Sequence, residues 1–254
     1  MVGRLLLLFF GVASLSGCEK VYSSSQWPVM GTMATLKGRY SDNERYPYVY
    51  GKGISNVFAK VENLLNAHDQ ESELSKLAVL SDSEVLTKCH PATRACYEAA
   101  FRLRDQSGGA FDPRWKGEKT LDLGGIAKGF AVDVVEGIDD LWGNCDWYLD
   151  LGGNIKVYNG SWKVGIAESD IVLTLTNGQA CATSAEYYRG KHIYDARTGN
   201  AVTNDLLSVT VVHPSSAMLA DGLSTICFIF GETEGEAFLR KFYPEARAIW
   251  IKKE

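Results

Sequence analysis

The sequence predicts an α+β fold of mixed, mostly antiparallel sheets with packed helices. Apolar residues recur at helical spacing in Ile54, Val57, Phe58, Val61, Leu64 and Leu65. Strand-like runs follow one another closely between residues 147 and 212, leaving no room for the long crossovers that parallel neighbours need. With 46% hydrophobic residues, the chain also has enough apolar side chain for a real core.

Taken in order, Arg4 precedes an apolar run from Leu5 to Leu15, the pattern of a secretory signal and too short for a span of ~20 apolar residues. Leu15, Ser16, Gly17 and Cys18 resemble a bacterial lipobox. The expectation is a signal peptide over 1–17, a lipid on Cys18 and an exported protein held on a membrane facing the periplasm; an ordinary signal peptide is the alternative. Polar Ser23, Ser24, Ser25 and Gln26 predict a tether over 18–28, which leaves 29–254 as the folded unit. Within that unit Met33 to Leu36 reads as a strand, and Ile54 to Leu65 and Ala92 to Leu103 as helices. Ile126, Phe130, Val134, Ile138 and Leu141 predict a further helix that Gly143 would stop. Strands are expected at Trp147 to Leu151, Trp162 to Ile166, Ile171 to Leu175 and Leu207 to Val212. A buried helix from Ser216 to Phe230 would end at Gly231.

The formal charge of -5 gives no basic surface for nucleic acid, so any recognition of phosphate is local. Beyond Cys18 the cysteines are Cys89, Cys96, Cys145, Cys181 and Cys227, an odd set without a CxxC pair or zinc-like spacing. They read as small buried hydrophobes, with a Cys89–Cys96 disulfide left open.

The richest stretch is Leu121, Asp122, Leu123, Gly124, Gly125, Ile126, Ala127, Lys128, Gly129: an apolar strand end, an acid, paired glycines and a helix start. Glycines let a backbone come close to a ligand, and the N–H groups of a following helix favour anions. A tight strand-to-helix turn is the simpler alternative. Asp122-Leu123-Gly124-Gly125 recurs as Asp150-Leu151-Gly152-Gly153, so the two turns are either opposite walls of one cleft or unrelated. Asp221 and Thr225 share one helix face, and a carboxylate with a hydroxyl suits magnesium; a cap and a back-bonded threonine are the simpler reading of the spacing alone. His192, followed by Asp195, sits where a strand runs into a polar turn and offers a base near neutral pH, or a structural histidine. Trp115, Tyr187 and Tyr188 are candidates for stacking on a ring, or for core and rim packing.

In this order the segments resemble the ApbE family, the FAD:protein FMN transferases. The matching pieces are the lipobox, Met30-Gly31-Thr32, Ser72 to Ser75, Gly109 to Asp112, Asp122 to Gly129 with Asp133, Leu151 to Ile155, Ala182 to Ser184, His192 to Gly199 and Ala220 to Thr225. The resemblance implies a cleft that binds FAD with Mg2+ on the pyrophosphate and passes FMN to a threonine or serine hydroxyl of another exported or membrane-associated protein, releasing AMP. It implies Asp221, Thr225 and the main-chain oxygen of Gly125 as metal ligands. Met30, Asp122, Lys128, His192 and Ile193 would lie beside the flavin nucleotide, with His192 and Asp195 acting on the acceptor hydroxyl. The family's acceptor pattern, a small Gly-Ala-Thr segment after an acid, has no counterpart here, so the acceptor is another polypeptide. Departures are a short connection between Asp112 and Leu121, Arg114 where threonine is usual, and Ala78, Ala185 and Ala196 where asparagine, glycine and proline are. Alternatives at the same site are a magnesium-dependent FAD pyrophosphatase and a flavin-binding lipoprotein without chemistry.

Overall fold

A computed structural model describes residues 21–40, 47–136, 145–186, 190 and 192–253. The strands are β1 (Val21–Val29), β2 (Thr32–Tyr40), β3 (Asp146–Leu151), β4 (Asn154–Asn159), β5 (Ser161–Gly165), β6 (Val172–Thr176), β7 (Ala180–Ala185), β8 (Tyr194–Asp195), β9 (Asn200–Ala201), β10 (Leu206–His213) and β11 (Arg247–Lys252). Seven of them form one sheet in the order β1-β2-β3-β4-β7-β10-β11, antiparallel at every junction. The hairpins β5-β6 and β8-β9 stand apart from it. The fold class expected from the sequence is therefore the one observed.

Both faces of the sheet are covered, and alternation along the strands shows how. Leu36, Leu149, Leu151, Val209 and Val211 pack with the helices. Tyr148, Ile155, Val157, Cys181 and Val212 face the other way, under Trp162, Val164, Leu173 and Leu175 of the β5-β6 hairpin. The helices are α1 (Pro47–Leu65), α2 (Glu73–Leu77), α3 (Asp82–Lys88), α4 (Pro91–Gln106), α5 (Ala127–Val134) and α6 (Ala217–Phe242).

The junction of α5 and α6 fixes the geometry of the site. A Cβ on Gly129 would stand 2.2 Å from the Ala217 carbonyl oxygen, so only glycine lets α5 lie this close. Asp133 caps α6 from the side, accepting from Ala217 N at 2.9 Å, Met218 N at 2.9 Å and Ser216 Oγ at 2.8 Å. Lys156 binds Asp133 at 3.0 Å and Glu136 at 2.9 Å. Burial opposes its charge, yet these carboxylates outweigh that and hold the ammonium above its ordinary range.

Four expectations change. Residues 21–28 of the expected tether form strand β1, with Ser25 and Trp27 buried, because alternate side chains there meet the core. Leu121 and Leu123 are buried but lie in irregular chain, not at a strand end. Helical backbone does break at Gly231 (φ 75°, ψ 176°), but a second helical stretch follows directly to Phe242, so α6 is two helices joined at a kink, with Asn204 Nδ2 donating to the Phe228 carbonyl at 2.7 Å beside it. Cys89 and Cys96 are not joined to each other and are free, as are Cys181 and Cys227; these four and Cys145 are all buried. The signal peptide, Cys18, Ile138, Leu141, Gly143, Tyr187 and Tyr188 lie outside the described residues.

Candidate functional site

A cavity of about 780 Å³, in the range of a cofactor site, reaches both faces of the sheet around the β3-β4 turn. Both glycine turns line it. They need glycine for different reasons. Gly152 (φ 58°) and Gly153 (φ 88°) take the positive φ of a two-residue hairpin turn. Gly125 needs room instead, since a Cβ there would stand 2.9 Å from the Phe111 ring and 3.6 Å from Thr225 Oγ1. Asp122 holds this bend, accepting from Gly124 N at 2.9 Å and from Lys116 Nζ at 3.2 Å.

Asp221 and Thr225 face the bend from α6 and line the same cavity. Asp221, 7% exposed at its side chain, accepts from Gly129 N at 3.0 Å and lies 3.6 Å from Lys128 Nζ. Lys128 Nζ is also 3.4 Å from the Gly124 carbonyl oxygen. The Thr225 hydroxyl is 3.3 Å from Ser184 Oγ and 3.3 Å from the Asp221 carbonyl oxygen. Capping and back-bonding thus coexist with a shared orientation into the cavity. Among the described residues no group of three or more His, Cys, Asp or Glu gathers as a metal cluster. The donors that meet are a carboxylate, a hydroxyl and the Gly125 main chain, a hard-oxygen set that fits magnesium rather than zinc or copper.

Most of the N–H groups that the sequence suggested would be free at the start of α5 are already taken. Ile126 N and Ala127 N donate to the Leu123 carbonyl, and Gly129 N to Asp221. The helix end already holds the protein's own anion.

His192 lines the cavity, its Nδ1 2.7 Å from the Gly190 carbonyl oxygen. A carbonyl only accepts, so this bond puts the proton on Nδ1 and leaves Nε2 of the neutral ring as an acceptor. The expected pairing with Asp195 is not among its contacts. Asp195 is instead held by Arg197 through both carboxylate oxygens, and those bonds keep its carboxyl below the usual range. Asp122, Lys128, Ile193 and Gly125 line the cavity; Met30 packs against the core, while Thr32 and Met33 stand at the wall.

The short connection after Asp112 is braced by Arg114, which donates to Asp82 and to the carbonyls of Ala78, Leu80, Glu118 and Thr120. Beside it Trp115 stacks on Tyr194, ring centroids 4.8 Å apart, at the cavity wall. Asp150, named in the repeated motif, and Thr183, named in the segment Ala182 to Ser184, also line the cavity, although sequence reasoning assigned neither a role. His68 and Thr35 line it too and were missed, since they carry no signal of their own.

The ApbE family model matches residues 30–118 and 114–250, two parts that meet at the short connection. An FAD:protein FMN transferase of Vibrio cholerae serotype O1 (strain ATCC 39541 / Classical Ogawa 395 / O395) is 32% identical over 139 residues, 47% of this chain and 41% of that protein. One from Klebsiella pneumoniae (strain 342) is 36% identical over 147 residues, 52% of this chain and 46% of that protein. The matched stretches thus span less than half the length of these relatives. Among solved structures, the flavin transferase ApbE from Vibrio cholerae superposes with a TM-score of 0.78 at 22% identity, covering 92% of this chain and 94% of that one. The apo form of Pseudomonas stutzeri flavinyl transferase ApbE gives 0.79 at 19% identity, covering 94% of each. At such identities the likeness speaks for the fold.

Proposed function

The chain belongs to the ApbE family, and from that premise we propose that it transfers FMN from FAD to a threonine or serine hydroxyl of an exported or membrane-associated protein, with AMP leaving. The observation that carries this reading is the meeting of Asp221, Thr225 and the Gly125 bend in one cavity with His192. The names of the matching relatives support it. Asp221, Thr225 and the Gly125 main-chain oxygen would hold Mg2+, which when bound offsets the pyrophosphate's charge and the charge that develops at phosphorus.

The chain's own residues supply the rest. Lys128, poised between the Gly124 carbonyl and Asp221, adds a cation beside the phosphates. His192 takes the acceptor's hydroxyl proton at Nε2 as that oxygen bonds to the FMN phosphorus and the bond to the AMP oxygen breaks. Asp122 keeps the glycine bend in shape, and Ile193 offers apolar contact to the nucleotide. Acylation of Cys18 would keep the enzyme near its acceptor at the periplasmic face of a membrane, raising the effective concentration of both. Among the described residues no helix is long and apolar enough to cross a membrane.

The test is to incubate purified protein with FAD, Mg2+ and a threonine-bearing acceptor. Covalent flavin fluorescence on the acceptor is the expected result. AMP with free FMN and an unlabelled acceptor would overturn transfer in favour of hydrolysis.

A further inference from the structure

Half of the cavity is left unused by the phosphate-handling residues. On the sheet face away from α5 and α6 it is bounded by Thr35, Asp150, Ile155 and Cys181, and across from them by the β5-β6 hairpin. Its chemistry is unlike that of the other half. Asp150 is the one charged side chain of this lining among the described residues, since burial pushes the Cys181 thiol up to about 12. Lys37, whose charge reaches Asp150, lies outside the lining, over the Tyr148 ring. A carboxylate in a wall without lysine or arginine repels a phosphate. It welcomes N–H groups instead: Oδ1 accepts from Gly153 N at 2.8 Å, and Oδ2 accepts no hydrogen bond among the described residues.

The hairpin adds a second feature. Four consecutive residues, Val164 to Ala167, line the cavity. Val164 and Ile166 pack their side chains against the sheet, so Gly165 between them reaches the cavity through its main chain. Ile166 N donates to the Ile171 carbonyl. Bonded pairs alternate in an antiparallel ladder, so Val164 with Leu173 is the next bonded pair, and Gly165 turns its N–H and C=O to the outer side of β5. Among the described residues β5 and β6 make a sheet of two strands, which leaves that side without a partner strand there, and a Cβ built on Gly165 meets nothing within 4 Å. Such an edge is a template for an extended peptide.

We propose that this half of the cavity receives the acceptor protein, as an extended, phosphate-free segment that adds a strand to β5 at Gly165 and donates an N–H to Asp150. The inference rests on the transfer reading above and names where its protein substrate lies. The route from Asp150 to the Asp221 side passes the β3-β4 turn, where Gly152 and Gly153 carry no side chain to block a threonine.

The test uses the full purified chain and two separate titrations: a fluorescein-labelled peptide carrying an acid followed by Gly-Ala-Thr, read by anisotropy, and FAD, read by flavin fluorescence. Gly165→Pro removes an N–H that makes no ladder bond, and Asp150→Asn keeps the shape while removing the charge; thermal unfolding verifies that both fold. Expected are a roughly tenfold weaker peptide in Gly165→Pro, a severalfold weaker one in Asp150→Asn, and FAD affinity within about twofold of the parent in both. Unchanged peptide affinity in both variants, or a parent protein that takes FAD and no peptide, overturns the proposal. So does a loss of FAD affinity, which would assign this half to the dinucleotide. A parent that binds the peptide in this pattern but not FAD would sink the flavin reading and leave the docking edge standing.

Discussion

Asp195 is clasped by Arg197, whose Nε lies 2.9 Å from Oδ1 and whose terminal nitrogen lies 2.6 Å from Oδ2. The same guanidinium sits over the Phe230 ring at 5.3 Å, next to the kink at Gly231. One arginine therefore straps the segment that follows His192 and Ile193 onto the helix that carries Asp221 and Thr225. Asp195 reaches that helix through Arg197.

Loosening that strap should cost rate more than binding. Arg197→Ala and Asp195→Ala are each expected to lower kcat for FMN transfer roughly 10- to 100-fold while FAD affinity changes little, because a misplacement of about 1 Å carries that kind of penalty. A pH–rate profile moved by Asp195→Ala and left alone by Arg197→Ala would return Asp195 to the side of the base.

His192→Ala should keep FAD bound and lower transfer by about 100-fold or more, the usual contribution of a general base. Unchanged transfer in single-turnover assays would remove His192 from the mechanism. Asp221→Ala should abolish the response of turnover to added Mg2+, and full activity with a retained Mg2+ response would refute the ligand assignment.

Gly129→Ala should destabilise the fold by about 3 kcal/mol, since the new methyl meets the Ala217 carbonyl at 2.2 Å and the backbones must part. A midpoint of urea unfolding equal to that of the parent would show the contact to be more yielding than drawn.

Lys156→Met should cost about 3 kcal/mol in the same assay, because it leaves Asp133 partly buried without its cation. Asp133 keeps its three donors from the start of α6, so the loss should be of stability while the helix is retained, as circular dichroism would report.

Asp150→Asn should stabilise the protein at pH 8. Burial raises the Asp150 carboxyl pKa, against the Gly153 N–H and Lys37. A raised folded value means that stability falls as pH climbs from the unfolded value through the folded one, with the full penalty above it. The asparagine escapes that penalty, so its advantage in Tm should shrink as pH drops through this window. An advantage independent of pH would argue against a titrating carboxylate.

Much of this architecture was legible because apolar spacing survives folding unchanged. Ile54 to Leu65 reads as a helix and packs as one, and Trp147 to Leu151 alternates between two cores as its pattern promised. The bend at Gly125 and the Asp221–Thr225 face were visible for the same local reason. What escaped was tertiary. Ser23 to Gln26 look like linker until Trp27 is seen to need a core, and Asp195 looks like a partner for His192 until Arg197 is seen beside it. The Gly129 N–H of α5 looks free until Asp221, distant in sequence, comes to meet it.

Strand β1 changes what an anchor on Cys18 would accomplish. Only Glu19 and Lys20 separate that cysteine from Val21, and β1 then runs for nine residues, about 30 Å, to the turn beside the cavity wall at Thr32 and Met33. From Val21 on, what the composition offers as slack is paired strand. On the proposal that Cys18 is acylated, two residues would lie between the lipid and the sheet, which would restrict how far the cavity could range from the bilayer surface.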